Sequence, residues 1–600
     1  MFNILLGGAA GQGIETTGAV IEKILKANGY NVFVTRDLMS RVRGGHNFST
    51  IRFGREPVVA HDHKVDCIMA MNQETIDLHV KDLNENGFII ADDSFESDDP
   101  RVIFLPMQTT GKELGNPRVA SSVAVGALIR LLDLPEEALR DIFEKALRPQ
   151  YVDINMEAAK VGFNAVSLEQ GEAARKKANS RANGNGELIP EAERRDYSEW
   201  IMINANQAIA LGALAAGMQF YSAYPMSPST SIMEYLAGIQ NEANIVVEQA
   251  EDELAAMNAV VGASYAGAVS MVGTSGGGYQ LMVEAMSSAG MMEIPAVTVI
   301  AMRPGPVTGL PTRTEQGDLE LAIFAGNGEY PKMVLAVKNQ EDAFYQTARA
   351  HHIAQKYQIP VVVLTDQYLS DGAATIEPFD LSRVEKVTVA ASTEEALTYR
   401  DSHERGSGQF GEMKENELAE NEYMRYRVTE DGISPRLLPG NPHAIVTADT
   451  DDHDEYGFIN EASDVRIEQM DKRMRKADKL AAEDIQDAEQ IGTAGSDVVL
   501  VAWGSLCGPL TEAVQDLKEL GIEVSALVYG DLWPFPTKQI ETEAANAKHI
   551  INIEQNFSGQ LGHLIRRQTG IAMTDSILKY DGRALSPDEI ARQVQEIVKG

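Results

Sequence analysis

Short apolar runs closed by glycine alternate with amphipathic stretches of a dozen or more residues along this 600-residue chain. Phe2–Leu6 reads as a buried strand, Gly7–Gly13 as a glycine turn, Ile14–Asn28 as a helix and Asn31–Thr35 as the next strand. The rhythm breaks over Glu169–Arg194, a stretch dense in charge, Asn and Gly that reads as a linker. It resumes from Trp200 to Pro378, with helices such as Gln207–Gly217 and buried strands such as Ala296–Ala301, Met333–Ala336 and Pro360–Leu364. Lys386–Ile491 is more polar and holds the turn-rich Gly432–Gly440 and a charged helix over Glu461–Glu483. A last α/β unit opens at Asp497–Val501. Strands alternating with helices predict a multidomain α/β protein with parallel sheets. The divisions fall at 1–175, a linker 176–199, 200–385, a connecting region 386–492, and 493–600.

Composition narrows the chemistry. The formal charge, 52 − 88 = −36, opposes a nucleic-acid partner, because phosphates would be repelled. Two cysteines, Cys67 and Cys507, suit an intracellular chain without a disulfide framework. They are also too few for an ordinary four-iron cluster, which takes four thiolates. No CxxC or HExxH spacing occurs, so no metal site is assigned. Met1–Leu6 lacks the basic start of a signal peptide, and the longest apolar runs, such as Ile294–Met302, are far shorter than a membrane span. The expectation is a cytoplasmic enzyme with no membrane partner.

Three regions carry candidate chemistry. The first is the N-terminal glycine loop, where Gly11 and Gly13 precede a helix whose amides attract phosphate or carboxylate. A dinucleotide fingerprint fails there, since the spacing is not GxGxxG and Arg36 stands before Asp37 at the second strand end. The loop is a phosphate seat or a plain tight turn. Nearby, Arg41, Arg43, Gly44, Gly45, His46, Asn47 and Arg52 make a cationic, glycine-bearing segment. It suits an anionic cofactor tail or an interdomain surface with paired charges.

The second region runs from Tyr221. Pro225 and Pro228 fix the backbone around Met226–Ser227, and Ser229 or Thr230 can cap the helix that follows. The turn is a carboxylate seat or simply a capped helix start. Glu248, Glu251, Asp252 and Glu253 then lead into an Ala-rich helix, where acids in a first turn are routine complements of the helix dipole. Glu253 alone adjoins the small apolar face Ala255, Ala256 and Ala259, so it is the first candidate for acid–base work, with Glu251 behind it. In the third region Gly273–Met286 is a strand-to-helix glycine turn with Thr274 and Ser275 at its mouth; no GKS or GKT makes it a P-loop. Arg303–Leu319 is a Pro- and Gly-rich loop with two arginines, each a carboxylate fork or a salt-bridge partner.

Taken together these motifs resemble the alpha subunits of 2-oxoacid:ferredoxin oxidoreductases of the 2-oxoglutarate type, with a gamma domain fused N-terminally. The pieces are the Gly7–Gly13 loop, RVRGGHNFSTIRFG, YPMSPS at Tyr224–Ser229 against the family's YPITPS, GLPTRTEQGDL, DGISPR and IEQNFSGQL. Glu253, in a Glu-x8-Gly spacing with Gly262 at GASYAGA, resembles the glutamate of thiamine pyrimidine-binding domains, which shares a proton with the aminopyrimidine ring. The resemblance implies a gamma-type domain at 1–175, a pyrimidine-type domain at 200–385 and a transketolase C-terminal-like domain at 493–600. It implies thiamine diphosphate contacts near Thr274 and Ser275, and coenzyme A near Gly11, Gly13, Arg43, Gly44, Gly45 and Asn47. Ser227, with Thr230 beside it, and Arg313 would then hold the oxoacid, Ser227 standing where the family has threonine.

The chain has no GDG followed by Asn about thirty residues on, the usual seat of the diphosphate and Mg²⁺. The resemblance therefore implies a beta subunit that supplies Mg²⁺, a [4Fe-4S] cluster and the docking site for ferredoxin, in an (αβ)2 assembly. The substrate would be 2-oxoglutarate, with pyruvate or branched or aromatic oxoacids as alternatives. Readings of another class are an NAD(P)-dependent Rossmann dehydrogenase and a non-catalytic scaffold subunit.

Overall fold

The computed structural model describes residues 1–39, 45–167, 169–170, 197, 199–385, 387–393, 396, 423–442 and 444–600. These residues build three β-sheets, of eight, seven and five strands, with helices packed on them. Most of the linker 176–199 lies outside the described residues, as do Arg41, Arg43 and Gly44.

The first sheet centres on Phe2–Ala9, buried almost throughout because apolar side chains occupy both faces of the strand. It runs parallel to Val65–Ala70 (Ile4 opposite Cys67) and antiparallel to His46–Gly54 (Ile4 opposite Ile51). The sheet is therefore mixed, not parallel. Only positions 38–45 separate Asn31–Asp37 from His46–Gly54, too few for the crossover helix that parallel neighbours need. Two four-residue strands from the middle of the chain, Ala373–Ile376 and Ile201–Asn204, extend this sheet antiparallel beyond Asn31–Asp37. On one face the helices Ala120–Leu131 and Val152–Ala165 approach so closely that a Cβ at Gly126 would collide with the Ala159 carbonyl.

The second sheet is parallel over six strands, in the order Met333–Ala336, Pro360–Asp366, Ala296–Met302, Ser270–Thr274, Phe220–Ala223, Val246–Gln249. The seventh, Asp531–Trp533, comes from the C-terminal region and pairs antiparallel with Met333–Ala336. The third sheet is parallel except for Glu489–Gly492 at its edge. The N-terminal region also meets the C-terminal one through Arg52–Glu512 at 2.7 Å and His63–Glu589 at 3.2 Å. Among the described residues no helix is long and apolar enough to cross a membrane.

The charged helix Ser463–Glu483 is held by an ion cluster away from solvent. Glu293 lies 2.7 Å from Lys472 Nζ and also pairs with Lys476, all three side chains being essentially inaccessible. Burial alone would raise the Glu293 carboxyl, but the two ammonium groups hold it well below the usual carboxylate range. Glu293→Gln would strand two buried cations, so a loss of about 3–5 kcal/mol is expected. The measurement is the apparent melting temperature together with amide exchange in Ser463–Glu483; an unchanged melt would make the cluster dispensable.

Candidate active site

Four parallel neighbours, Ala296–Met302, Ser270–Thr274, Phe220–Ala223 and Val246–Gln249, end on one edge of the second sheet. Their following loops converge there, in the crevice at the carboxyl ends of the strands where open α/β sheets bind ligands. Each loop delivers one of the candidate groups.

After Val246–Gln249, Asp252 caps the helix Glu253–Tyr265 by accepting the Ala255 N–H at 2.7 Å. That cap fixes Glu253 as the first helical residue and turns its side chain inward, 4% exposed. Glu253 Oε1 is buried without a hydrogen-bond partner among the described residues. A lone buried acceptor of this kind costs stability unless a ligand satisfies it. Glu251 and Glu248 are exposed.

After Ser270–Thr274, the fully buried Thr274 and Ser275 lead into the helix Gly276–Met291. Ser275 sits at the N-cap but its hydroxyl caps nothing. A Cβ at Gly278 would collide with Thr274 Oγ1 and stand 2.7 Å from Glu253 Oε1. Gly278 is thus required for Glu253 and Thr274 to share this corner. Gly262, the glycine of the Glu-x8-Gly spacing, has nothing within 4 Å of its Cβ position.

After Phe220–Ala223, Ser229 stands at the N-cap of Thr230–Ala243, yet its hydroxyl donates to the Met226 carbonyl at 2.7 Å instead of capping. Asn206 holds the turn by donating to the Pro228 carbonyl at 2.8 Å. Ser227 is exposed, Thr230 half-buried. The Ser227 carbonyl accepts from Arg303 Nη1 at 2.6 Å, which joins this turn to the fourth loop.

Arg303 follows Ala296–Met302, is 9% exposed, and its Nε is buried without a partner among the described residues. Asp318, at the far end of the same loop, fills the space a Cβ at Gly276 would need and attracts Arg303. Burial pushes the Asp318 carboxyl up to about 6, against the pull of Arg303. The middle of the loop is pinned to the C-terminal region: Gln316 N–H donates to the Gln555 carbonyl at 2.7 Å, and Asn556 Nδ2 to the Gln316 carbonyl at 3.0 Å. IEQNFSGQL therefore works as a clamp on this loop. Arg313 does not reach the Ser227 turn by any hydrogen bond or ion pair among the described residues; it pairs with Asp37 of the N-terminal sheet at 2.6 Å. Of the two loop arginines, the geometry brings Arg303 to the corner. The resemblance assigns the oxoacid to Arg313, whereas the residues alone give no signal to rank the two.

The N-terminal glycine loop opens on a cleft of about 1230 Å³. Gly11 and Gly13 line it with φ of 90° and 78°, a left-handed backbone that favours glycine. Gln12 braces the loop, accepting from Ala9 N–H at 2.7 Å and donating to the Met71 carbonyl at 3.1 Å. The N-terminus of Ile14–Ala27 faces the cleft, and Lys112, Arg118 and Asn47 join the wall. That set suits a large ligand bearing phosphates. Gly45 is not part of the wall; its left-handed turn packs against Met39. Cys67 and Cys507 are both buried, in different sheets' cores, and no group of three or more His, Cys, Asp or Glu gathers as metal ligands among the described residues.

Comparison with known proteins gives a consistent picture. Residues 211–472 match the family described as pyruvate flavodoxin/ferredoxin oxidoreductase, thiamine diphosphate-binding. Residues 3–165 match pyruvate ferredoxin/flavodoxin oxidoreductase, and 496–590 match pyruvate:ferredoxin oxidoreductase core domain II. The chain is 30% identical to the 2-oxoacid:ferredoxin oxidoreductase subunit alpha of Sulfolobus sp, covering 99% of this chain and 96% of that one. It is 26% identical to the 2-oxoglutarate oxidoreductase subunit KorA of Mycobacterium tuberculosis, over 100% of this chain and 91% of the relative. Among solved structures, the 2-oxoglutarate:ferredoxin oxidoreductase of Magnetococcus marinus with 2-oxoglutarate, coenzyme A and succinyl-CoA bound superposes with a TM-score of 0.84, at 30% identity over 99% of both chains.

Proposed function

The chain belongs to the alpha subunits of the 2-oxoacid:ferredoxin oxidoreductases, and from that premise we propose that, with a beta subunit, it converts a 2-oxoacid and coenzyme A to acyl-CoA, CO₂, a proton and two electrons for ferredoxin. The preferred substrate is 2-oxoglutarate, the acid acted on by the Magnetococcus and Mycobacterium relatives. The observation that carries the reading is the unpartnered, buried Glu253 Oε1 in a corner cleared by Gly278.

An aminopyrimidine nitrogen fits that corner, since it can share a proton with Oε1, which no group among the described residues engages. Thiamine diphosphate, when bound, supplies a nucleophilic carbon and an electron sink. Glu253 holds and returns the proton at Oε1. Arg303, fixed on the Ser227 carbonyl and balanced by Asp318, presents its remaining N–H groups to the oxoacid carboxylate, with the Ser227 and Thr230 hydroxyls beside it. Thr274 and Ser275 border the cofactor side. The N-terminal cleft takes coenzyme A, its phosphates at Gly11–Gly13, Lys112 and Arg118. The diphosphate, its Mg²⁺, the [4Fe-4S] cluster and the ferredoxin dock belong to the beta subunit, in an (αβ)2 assembly.

The test is co-purification with the beta subunit and assay of viologen reduction over a panel of 2-oxoglutarate, pyruvate and branched-chain oxoacids, with and without coenzyme A. Turnover that depends on coenzyme A and is fastest with 2-oxoglutarate is expected, and none from the alpha chain alone. Coenzyme A-independent turnover, or a preference for pyruvate, would overturn the respective part.

A further inference from the structure

Three separate parts of the chain meet at one carboxylate. Asp37 ends the strand Asn31–Asp37, and its Oδ1 takes Arg313 Nη1 at 2.6 Å. Its Oδ2 faces Arg583 Nε, from the C-terminal region, at 3.4 Å. Arg313 Nη1 also donates to the carbonyl of Leu38 at 3.2 Å, and Leu38 lines the N-terminal cleft. Gly582, with φ of 77°, packs against both Arg313 and Leu310; its Cβ position is 3.2 Å from the Arg313 side chain. The Asp37 and Arg313 side chains are 15% and 13% exposed, so the pair is shielded well beyond an ordinary surface bridge.

Arg313 lies between the two functional ends of its loop. Arg303 stands on one side, fixed to the Ser227 turn, and Asp318 on the other, filling the space beside Gly276. The tip between Arg303 and Arg313 folds on itself, Leu310 N–H donating to the Pro304 carbonyl at 3.0 Å, and its residues Gly305–Leu310 are exposed. Between Arg303, held on the Ser227 carbonyl, and the Gln316 clamp, the tip has little else to hold it, so its position depends on what anchors Arg313. That anchor is Asp37 together with Leu38, the neighbouring residue that lines the cleft.

We propose that Asp37 and Arg313 are a positioning pair that ties the oxoacid-side loop Arg303–Asp318 to the wall of the N-terminal cleft, so that filling the cleft and ordering the loop favour each other. The inference rests on the reading of Arg303 as the oxoacid arginine and of the cleft as the coenzyme A seat. Arg313 then acts through the loop, without touching substrate.

Asp37→Asn, Arg313→Gln and the double variant test this in the assembled complex. Each single change is expected to raise the KM for both the 2-oxoacid and coenzyme A by about 5-fold or more, within the usual range of coupling between sites, with kcat little changed. The double variant should be no worse than either single, because the two remove one shared interaction. Asp37→Glu and Arg313→Lys keep the charges and should recover most of the loss, which guards against simple misfolding. Amide exchange gives a readout independent of turnover: coenzyme A should slow exchange across residues 303–318 in the wild-type complex and not in Asp37→Asn. A complex that oxidises no 2-oxoacid, yet shows this loop response, would keep the pair and sink the functional reading. If Arg313→Gln raises the oxoacid KM while Asp37→Asn changes neither KM nor exchange, Arg313 binds substrate directly and the proposal falls. Additive losses in the double variant overturn it as well.

Discussion

Glu253→Gln in the assembled complex is expected to lower kcat by roughly 10²–10⁴-fold, the usual contribution of a positioned acid–base group. Glutamine matches glutamate in shape, so the corner formed by Gly278, Thr274 and the Asp252-capped helix stays intact. What is lost is only the ability to take up and return a proton. Oε1 has no hydrogen-bond partner among the described residues, so no internal hydrogen bond breaks there and the melting temperature should hold. The KM for the oxoacid should move little, because in the proposed reading Glu253 serves the cofactor and not the oxoacid. Glu251→Gln is the control: Glu251 is exposed, and its loss should leave turnover unchanged. Near wild-type kcat in Glu253→Gln would remove this residue from the proton path, and a loss of activity in Glu251→Gln instead would move the role there.

Much of this was legible in the sequence where a local rule governs. Strands buried on both faces, such as Pro360–Asp366 and Ala296–Met302, announce themselves as apolar runs of strand length. The structure places them within one or two residues of their expected ends. Glu253 could be singled out because, at the start of an Ala-rich helix, it adjoins the small apolar face Ala255, Ala256 and Ala259, and the structure buries it there. Pairing between distant segments was not legible. Ile201–Asn204, Ala373–Ile376 and Asp531–Trp533 are three or four residues long, and their periodicity says nothing of which sheet they complete. They join regions that the pattern separates, adding antiparallel strands to the first and second sheets. The arginines show the same limit. Arg303 and Arg313 share one Pro- and Gly-rich loop, and only the fold-back at Leu310 and the anchors at Gln316 send one to the Ser227 turn and the other to Asp37. The sequence reading left a salt bridge open for either arginine, and Arg313 makes one.

That division gives the second large effect. Arg303→Ala should raise the KM for the 2-oxoacid by roughly 10- to 150-fold, the equivalent of about 1.5–3 kcal/mol for a charge-assisted hydrogen bond at 1.36 kcal/mol per tenfold. The case rests on position and on unused donors. Arg303 is 9% exposed, spends one N–H on the Ser227 carbonyl, and keeps a buried Nε without a partner among the described residues, beside a cleared corner. An arginine holds five donors, so a carboxylate can be gripped by two N–H groups while the Ser227 contact persists. Arg303→Lys keeps the charge and can keep the Ser227 contact but loses the planar fork, so it should fall between wild type and alanine. Coenzyme A should bind as before in both variants, in contrast to the Arg313 and Asp37 variants, where both constants move together. Thiamine diphosphate binding, followed by its circular dichroism, should also be retained, which separates loss of the oxoacid contact from collapse of the corner. An unchanged oxoacid KM across the whole panel would show that Arg303 serves only to brace the Ser227 turn, and the carboxylate seat would have to be sought on the beta subunit's side of the site.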